Sequence, residues 1–236
     1  MTDRGRWFAG GARGATLIEL MVSLSIFSLA LAGVFLLFRN SYQALHFLQN
    51  RQSVQQQMLK IKGWLHADFD LSHLRSIAVD PIPITLDDKN YRRDLVSCLA
   101  LDDWRDKDSF HDITNMPLWN RYVLYQATDE EEGELVRLVL RRIKPPATGF
   151  LPFRPLEDLR GHTGFEVESR HQLSKNLLQY ECEVSDADQD VRFNVKLLRR
   201  AGARGVDAKR AQESFEGVFR ITPKNTHPKL SGGIHG

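Results

Sequence analysis

Apolar residues are concentrated near the N-terminus, in a run over residues 15–38 whose only ionisable side chain is that of Glu19. As an α-helix this run would rise about 36 Å, and the hydrocarbon core of a bilayer is about 30 Å thick. The pattern therefore predicts a helix that crosses a membrane.

A short basic segment precedes the apolar run. Its cations are Arg4, Arg6 and Arg13. Positive residues favour the cytoplasmic side of a membrane. We therefore expect a single-pass membrane protein, with residues 1–14 in the cytoplasm and everything after Arg39 outside it.

The helix is predicted to continue beyond the apolar run, because no proline occurs before Pro81 and apolar residues mostly recur at three- and four-residue steps. These residues are Phe38, Tyr42, Leu45, Val54, Met58, Ile61, Leu65 and Phe69. The opposite face is rich in Gln and Lys. Such a stripe is typical of any helix that faces a core, and the sequence does not separate this case from a partner-binding helix.

From Pro81 onward, short strand-like runs alternate with turn residues, which predicts a mostly antiparallel sheet. The runs are residues 95–101, 121–127, 135–143, 177–184, 191–198 and 218–221. Hairpin turns are expected at 129–133, where Gly133 would take backbone angles that other residues avoid, and at 185–190. A helix followed by strands indicates an α+β protein.

The charge of the chain changes this picture little. The formal net charge is +2, and the first fourteen residues alone supply it, with three arginines against Asp3. The remainder is near neutral, so tight nucleic-acid binding is not expected. A basic stretch over residues 199–210 is interrupted by Gly202 and Gly205 and is more typical of a solvated loop than of a DNA site.

Two routes of processing compete for the N-terminus. An ordinary signal peptide would be cleaved after Ala30, Leu31 and Ala32, which have the A-x-A form. Against it, the apolar run continues to Phe38, whereas a signal peptide's apolar region spans about 7–15 residues. A carboxylate inside that region is also costly, so something should compensate for the charge of Glu19.

The segment from Arg13 to Val22, RGATLIELMV, resembles the prepilin processing and methylation motif of type IV pilins and type II secretion pseudopilins. The resemblance implies that prepilin peptidase cuts after Gly14 and that Ala15 becomes an N-methylated terminus. Glu19 then occupies the glutamate position at the fifth residue of the mature chain. Ala15 departs from the aromatic residue or methionine usual after the cut.

Physical chemistry accounts for a glutamate at this spacing. Cleavage after Gly14 creates an α-amine with a pKa near 7.7–8, which methylation leaves charged. A cation and a carboxylate are each costly in an apolar filament core and acceptable as a pair. Glu19 can supply the partner charge. The alternative is a stray acidic residue near the end of a plain membrane anchor.

The resemblance also implies the pilin fold, a stem helix packed on an antiparallel sheet. The chain would comprise a leader (1–14), a transmembrane half of the stem (15–38), an amphipathic half (39–75), a β-rich head (76–223) and a flexible, unpaired tail (224–236). The long head is most similar to J-type pseudopilins of type II secretion or W-type minor pilins.

The resemblance implies a protein of the inner membrane that is assembled into a periplasmic pseudopilus or a surface pilus. The expected partners are other pilins or pseudopilins, prepilin peptidase and the inner-membrane assembly platform, in an initiating or tip complex. The alternative is a secreted or membrane-anchored ligand-binding protein with an ordinary signal peptide. Such a protein would begin at Gly33 and lose the apolar helix.

Catalytic and cofactor signals are weak. The eight histidines are scattered, and no nucleophile, phosphate loop or cofactor fingerprint groups with the acidic residues. We expect no enzyme activity and no cofactor. Asp186, Asp188 and Asp190 alternate like the opening of a calcium loop, but Val191 and Leu197 stand where its glycine and glutamate belong. A polar hairpin turn is favoured over a metal site.

Cys98 and Cys182 are the only cysteines, and both fall on predicted strands. An even number of cysteines in an oxidising compartment favours a disulfide. Two buried thiols acting as small apolar core residues are the alternative. The sequence leaves both open.

Overall fold

The computed structural model describes residues 16–110, 112, 117–143, 159–161, 163–200 and 212–225. The chain forms two compact units, residues 1–48 and 49–236. A single 53-residue helix, α1 (Leu17–Phe69), begins in the first unit and ends in the second. The long N-terminal helix is confirmed.

The helix ends at Phe69, earlier than the expected end of the stem at residue 75. The amide of Asp70 still donates to the carbonyl of His66 at 3.1 Å. The amide and hydroxyl of Ser72 both return to the carbonyl of Phe69, at 3.2 and 2.9 Å. These bonds satisfy the end of the helix and turn the chain, and a short 3-10 turn follows at Leu74–Ser76.

Within the described residues, nine strands follow the helix. They are β1 (Ala78–Asp80), β2 (Pro83–Leu86), β3 (Lys89–Arg92), β4 (Leu95–Ala100), β5 (Arg121–Ala127), β6 (Gly133–Arg142), β7 (Phe165–Ser185), β8 (Asp190–Arg200) and β9 (Gln212–Ile221). Seven of them form one antiparallel sheet in the order β1-β4-β5-β6-β7-β8-β9. β2 and β3 form a separate hairpin. The α+β class is confirmed.

All six predicted strands are present, and both predicted hairpins join neighbouring antiparallel strands, β5 with β6 and β7 with β8. The main difference is the length of β7, which begins at Phe165, twelve residues before the predicted start at Leu177. Its first half is mostly polar and exposed. That half therefore lacks the apolar alternation by which strands are recognised in a sequence.

The main core lies between the second part of α1 and one face of the sheet. The helix contributes Val54, Ile61, Leu65 and Phe69. The ring of Phe69 lies 4.8 Å from that of Phe193 on β8 and 5.6 Å from that of Tyr125 on β5, measured between centroids. The predicted stripe is therefore buried from Val54 onward, and it packs on this chain's own sheet.

A second core covers the other face of β4, β5 and β6. It contains Leu95, Leu99, Tyr122, Leu124, Val136, Leu138, Leu140, Leu159 and Phe165. Leu159 and the partly buried Ile82 and Trp119 come from connections rather than from the main sheet. The central strands are apolar at nearly every position because both of their faces are covered.

A buried arginine holds the turn between β5 and β6. Arg93 is 1% exposed, and its guanidinium donates to five backbone carbonyls. These belong to Thr128, Glu130, Glu131, Leu177 and Leu178. Burial lowers the pKa of Arg93, an effect that the charge of Asp129 partly offsets.

Gly133 is required at this turn for space rather than for its backbone angles. A Cβ at this position would lie 2.5 Å from the guanidinium carbon of Arg93, and no left-handed φ occurs there. The expectation of unusual backbone angles at Gly133 was therefore wrong. Because Gly133 has no Cβ, the guanidinium of Arg93 can lie against it and reach the carbonyls of the turn.

The first two residues of the expected tail, Lys224 and Asn225, lie in no strand but contact the segment that follows α1. The amide of Lys224 donates to the carbonyl of Asp70 at 2.8 Å, and its ammonium pairs with the carboxylate of Asp70. The side-chain amide of Asn225 donates to the carbonyl of Leu71. The end of the sheet is thereby tied to the end of the helix, and residues 226–236 lie outside the described residues.

Candidate assembly site

The N-terminal end of α1 is capped by Thr16 and Glu19. The amide of Thr16 donates to Oε2 of Glu19 at 2.8 Å, and the amide of Glu19 donates to Oγ1 of Thr16 at 3.3 Å. This reciprocal arrangement is a capping box, which satisfies two backbone donors at a helix start. A carboxylate there also interacts favourably with the positive end of the helix dipole.

The apolar run beyond this cap is exposed in the isolated chain. Its exposed large side chains are Leu17, Ile18, Leu20, Met21, Val22, Leu24, Ile26, Phe27, Leu29, Leu31, Val34, Phe35, Leu36, Leu37 and Phe38. In the part of the chain that the structure describes, α1 alone is long and apolar enough to cross a membrane. A surface of this size and apolarity needs a lipid or protein environment.

Gly14 and Ala15, the predicted cleavage site, lie outside the described residues. Their processing stays a prediction. Glu19 is described, and its carboxylate bonds to the residue directly after Ala15. A charged amine created at Ala15 would therefore form close to this carboxylate.

A buried polar cluster connects the second part of α1 to the sheet. Asp68 on α1 accepts from Arg137 on β6 in two bonds, Nε to Oδ2 at 2.6 Å and Nη2 to Oδ1 at 2.7 Å. The hydroxyl of Tyr125 on β5 also donates to Oδ2. Trp64, one turn earlier on α1, lies over the guanidinium at 4.2 Å, within the range of a cation–π interaction.

The electrostatics of this cluster favour its charged pair. Burial by itself lowers the pKa of Arg137, but the hydrogen bonds and charge of Asp68 outweigh it, so that this pKa is raised. Burial, followed by the neighbouring charge of Asp68, raises the pKa of Tyr125 well above its ordinary value. The tyrosine therefore stays neutral and can donate to the carboxylate.

A cavity of about 200 Å³ lies beside the cluster, and its lining includes Asp68, Arg137, Asp102, Trp104 and Arg121. Arg121 forms ion pairs with Asp102 and with Glu168, the latter at 2.6 Å. The four charged groups of the lining thus have partners within this chain. The arrangement is that of a packed junction rather than of a reaction centre.

Cys98 on β4 and Cys182 on β7 are both buried and both free thiols in the structure, and they belong to the same core. Burial is the main cause that raises the pKa of each thiol well above its ordinary value. The thiolate is the reactive form of cysteine, so these thiols are expected to react slowly. Their pairing stays a prediction.

The acidic turn between β7 and β8 makes contacts of its own. Asp188 and Asp190 both pair with Arg220 on β9, and the hydroxyl of Ser185 donates to Asp188 at 3.2 Å. Within the described residues, no group of three or more His, Cys, Asp or Glu side chains is arranged to hold a metal ion. The basic stretch of residues 199–210 lies mostly outside those residues.

Sequence reasoning missed Asp68, Arg137 and Arg93. Arg137 is the only charged residue inside the buried run LVRLVL of β6, and such an interruption signals a buried partner. Asp68 lies next to the apolar stripe of α1, three residues after Leu65. Each signal is visible in the sequence, but the sequence does not show that the two residues meet.

Comparison with known proteins identifies the N-terminal segment. Residues 11–35 match the family model described as the prokaryotic N-terminal methylation motif. The matched segment includes Gly14, Ala15 and Glu19. No curated protein and no solved structure matches the chain.

Proposed function

Because the chain carries the prokaryotic N-terminal methylation motif, the signature of type IV pilins and pseudopilins, we propose that it is a minor pilin or pseudopilin. Prepilin peptidase cleaves it after Gly14, and Ala15 is methylated. The inner-membrane assembly platform then adds the mature chain to other pilins through α1. The product is a type IV pilus or a type II secretion pseudopilus, with this chain in its initiating or tip complex.

The observation that carries this proposal is the position of Glu19. Its carboxylate bonds to the amide of Thr16 at 2.8 Å, one residue from the amine that cleavage would expose. An ammonium and a carboxylate that enter an apolar environment together avoid the cost of two unpaired charges. The precursor thus holds the carboxylate at the end of the helix, where a charged amine of this chain or of a neighbour can meet it.

The exposed apolar surface of α1 supports the same proposal. A helix of this composition is stable in a bilayer, where the precursor would be inserted with its head outside the cytoplasm. After extraction, the same surface requires burial among similar helices. One surface can therefore serve first as a membrane anchor and then as an assembly contact.

The ion pair of Asp68 and Arg137 joins α1 to the head, which supports the same proposal. Residues 49–69 of α1 pack on the sheet through an apolar stripe and a buried ion pair, so that this part of the helix and the head form one unit. Proteins with this motif are structural rather than catalytic. A folded head on an assembling helix fits that role.

Substitution of Glu19 tests the proposal. Glu19→Gln removes the charge but keeps a side chain that can complete a capping box, whereas Glu19→Ala removes both. Both variants should insert in the membrane with a folded head, and neither should be recovered with partner pilins in a pull-down. Normal recovery of Glu19→Gln would show that the charge of Glu19 has no part in assembly.

A further inference from the structure

The two edges of the seven-stranded sheet differ in length and protection. β1 has three residues and is followed by Pro81, and short strands and prolines both hinder pairing with a further strand. β9 has ten residues and no proline. Within the described residues, β9 pairs with β8 on one side alone. It is the edge at which another strand can be added.

The side chains of β9 alternate between the core and the solvent. Phe215 and Phe219 pack against the main core, and the position of Gly217 lies against Met58 of α1. The exposed row consists of Ser214, Glu216, Val218 and Arg220. Val218 is the apolar residue of this row, and it is 51% exposed. Glu216 lies two residues before it and Arg220 lies two residues after it.

We propose that β9 of one chain pairs antiparallel with β9 of a second copy, about a two-fold axis at Val218. In such a pair, residues at equal distances on opposite sides of the axis face each other. Val218 then faces Val218 of the second copy. Glu216 faces Arg220 of the second copy, and this contact occurs twice.

The charges around the exposed row fit this register. Within one chain, Glu216 lies 3.5 Å from Lys196, and Arg220 pairs with Asp190. Pairing about Val218 therefore links two ion pairs, that of Lys196 and Glu216 in one chain and that of Arg220 and Asp190 in the second. The residue in register beside Arg220 on β8 is Arg192. Charge networks of this kind stabilise more than isolated surface pairs.

Neighbouring registers are less favourable. A two-fold axis at Gly217 would set Val218 opposite Glu216, and an axis at Phe219 would set it opposite Arg220. Both registers bury a charge against an apolar side chain and lose the charge pairs. Head-to-tail pairing of β9 with β1 is limited by the three residues of β1. The self-complementary row thus selects a second copy in one register.

The pairing surface is small. A contact between two ten-residue edges buries less area than a standard stable interface. Association is therefore expected to be weak in dilute solution and stronger when two chains share one membrane, which raises their effective concentration. This inference does not depend on the proposed role in filament assembly.

Disulfide trapping in the full-length chain, in membranes, tests the register. Val218→Cys places two thiols directly opposite each other, with Cβ atoms about 4.5–5.5 Å apart. Mild oxidation should yield a covalent dimer. The matched control is Ser214→Cys, another exposed position on the same strand. In the proposed register its two copies lie about 26 Å apart, so this variant should stay monomeric.

Charge reversal in the Val218→Cys background tests the contacts. Glu216→Arg alone and Arg220→Glu alone should each lower the dimer yield at least roughly fivefold, because like charges then face each other. The two reversals together should give more dimer than either alone, although each reversed residue then lies beside a like charge of its own chain, Lys196 or Asp190. Each of three results would overturn the proposal: no Val218→Cys dimer, equal cross-linking of Ser214→Cys, or conjugation of Val218→Cys to a different protein. A double reversal that gives no more dimer than either single reversal would exclude the proposed register.

Discussion

The carboxylate of Asp68 on α1 and the guanidinium of Arg137 on β6 form a two-bonded ion pair across the interface between helix and sheet, with distances of 2.6 and 2.7 Å. Both side chains are more than nine-tenths buried. A buried pair of this kind costs much to desolvate, and breaking it leaves one charge without compensation. Substitution of either partner is therefore expected to destabilise the contact between α1 and the sheet.

Loss of one partner is predicted to destabilise the head. Asp68→Ala or Arg137→Met should lower the free energy of unfolding by about 3–5 kcal/mol, measured by denaturant titration with tryptophan fluorescence. The combination of Asp68→Leu with Arg137→Met should recover part of the loss, because no buried charge remains.

An exposed ion pair provides the control for this prediction. Arg160 pairs with Asp80 at 2.6 Å, and their side chains are 56% and 41% exposed. Arg160→Ala should cost about 0–1 kcal/mol. Equal effects of Arg160→Ala and Asp68→Ala would show that burial gives the Asp68 pair no special weight.

The close contact between Gly133 and Arg93 gives a second prediction. In Gly133→Ala the new methyl group would meet the guanidinium of Arg93 at 2.5 Å, so that Arg93 must shift relative to its carbonyl partners. The chain should lose about 1–3 kcal/mol for each group left unsatisfied, measured as a fall in the free energy of unfolding.

The matched control is Gly63→Ala. Gly63 is an exposed position on the part of α1 that lies in the second unit. Nothing lies within 4 Å of the added methyl group there. Alanine is the better helix former, by about 0.5–1 kcal/mol, so this variant should be stabilised. Stabilisation of Gly133→Ala as well would contradict the role of Arg93 as a clamp.

The two cysteines give a third prediction. Both are free thiols in the structure, and their pairing stays to be tested. In an oxidising compartment, Cys98 and Cys182 should pair and resist labelling under non-reducing, denaturing conditions. Closing a loop of about 84 residues would stabilise the head by about 4 kcal/mol or more in the chain-entropy model. Full labelling of both thiols, or Cα atoms more than about 7 Å apart, would exclude the bond.

The main elements of the fold could be predicted because they depend on local pattern. The stripe from Val54 to Phe69 has helical spacing, and β5 has the same bounds in the prediction and in the structure. The first half of β7 could not be predicted in this way, since it is polar and is held by pairing with β6. Strand pairing is a long-range contact that periodicity does not encode.

The candidate site shows the same division. Glu19 was identified from its spacing to Gly14, because the motif is a short continuous segment. The Asp68–Arg137 contact joins residues 69 positions apart in the sequence. The partners of Arg93 are backbone carbonyls, whose placement follows from the folded sheet and not from any residue type.

The intact mass of the mature chain isolated from its own membranes tests the central claim most directly. The proposed function predicts that residues 1–14 are absent, that the chain begins at Ala15 with one added methyl group, and that Gly14→Val accumulates as the precursor. A mature chain that begins at Gly33 would show an ordinary signal peptide, with loss of the apolar helix. That result, or efficient maturation of Gly14→Val at Ala15, would contradict processing through the methylation motif.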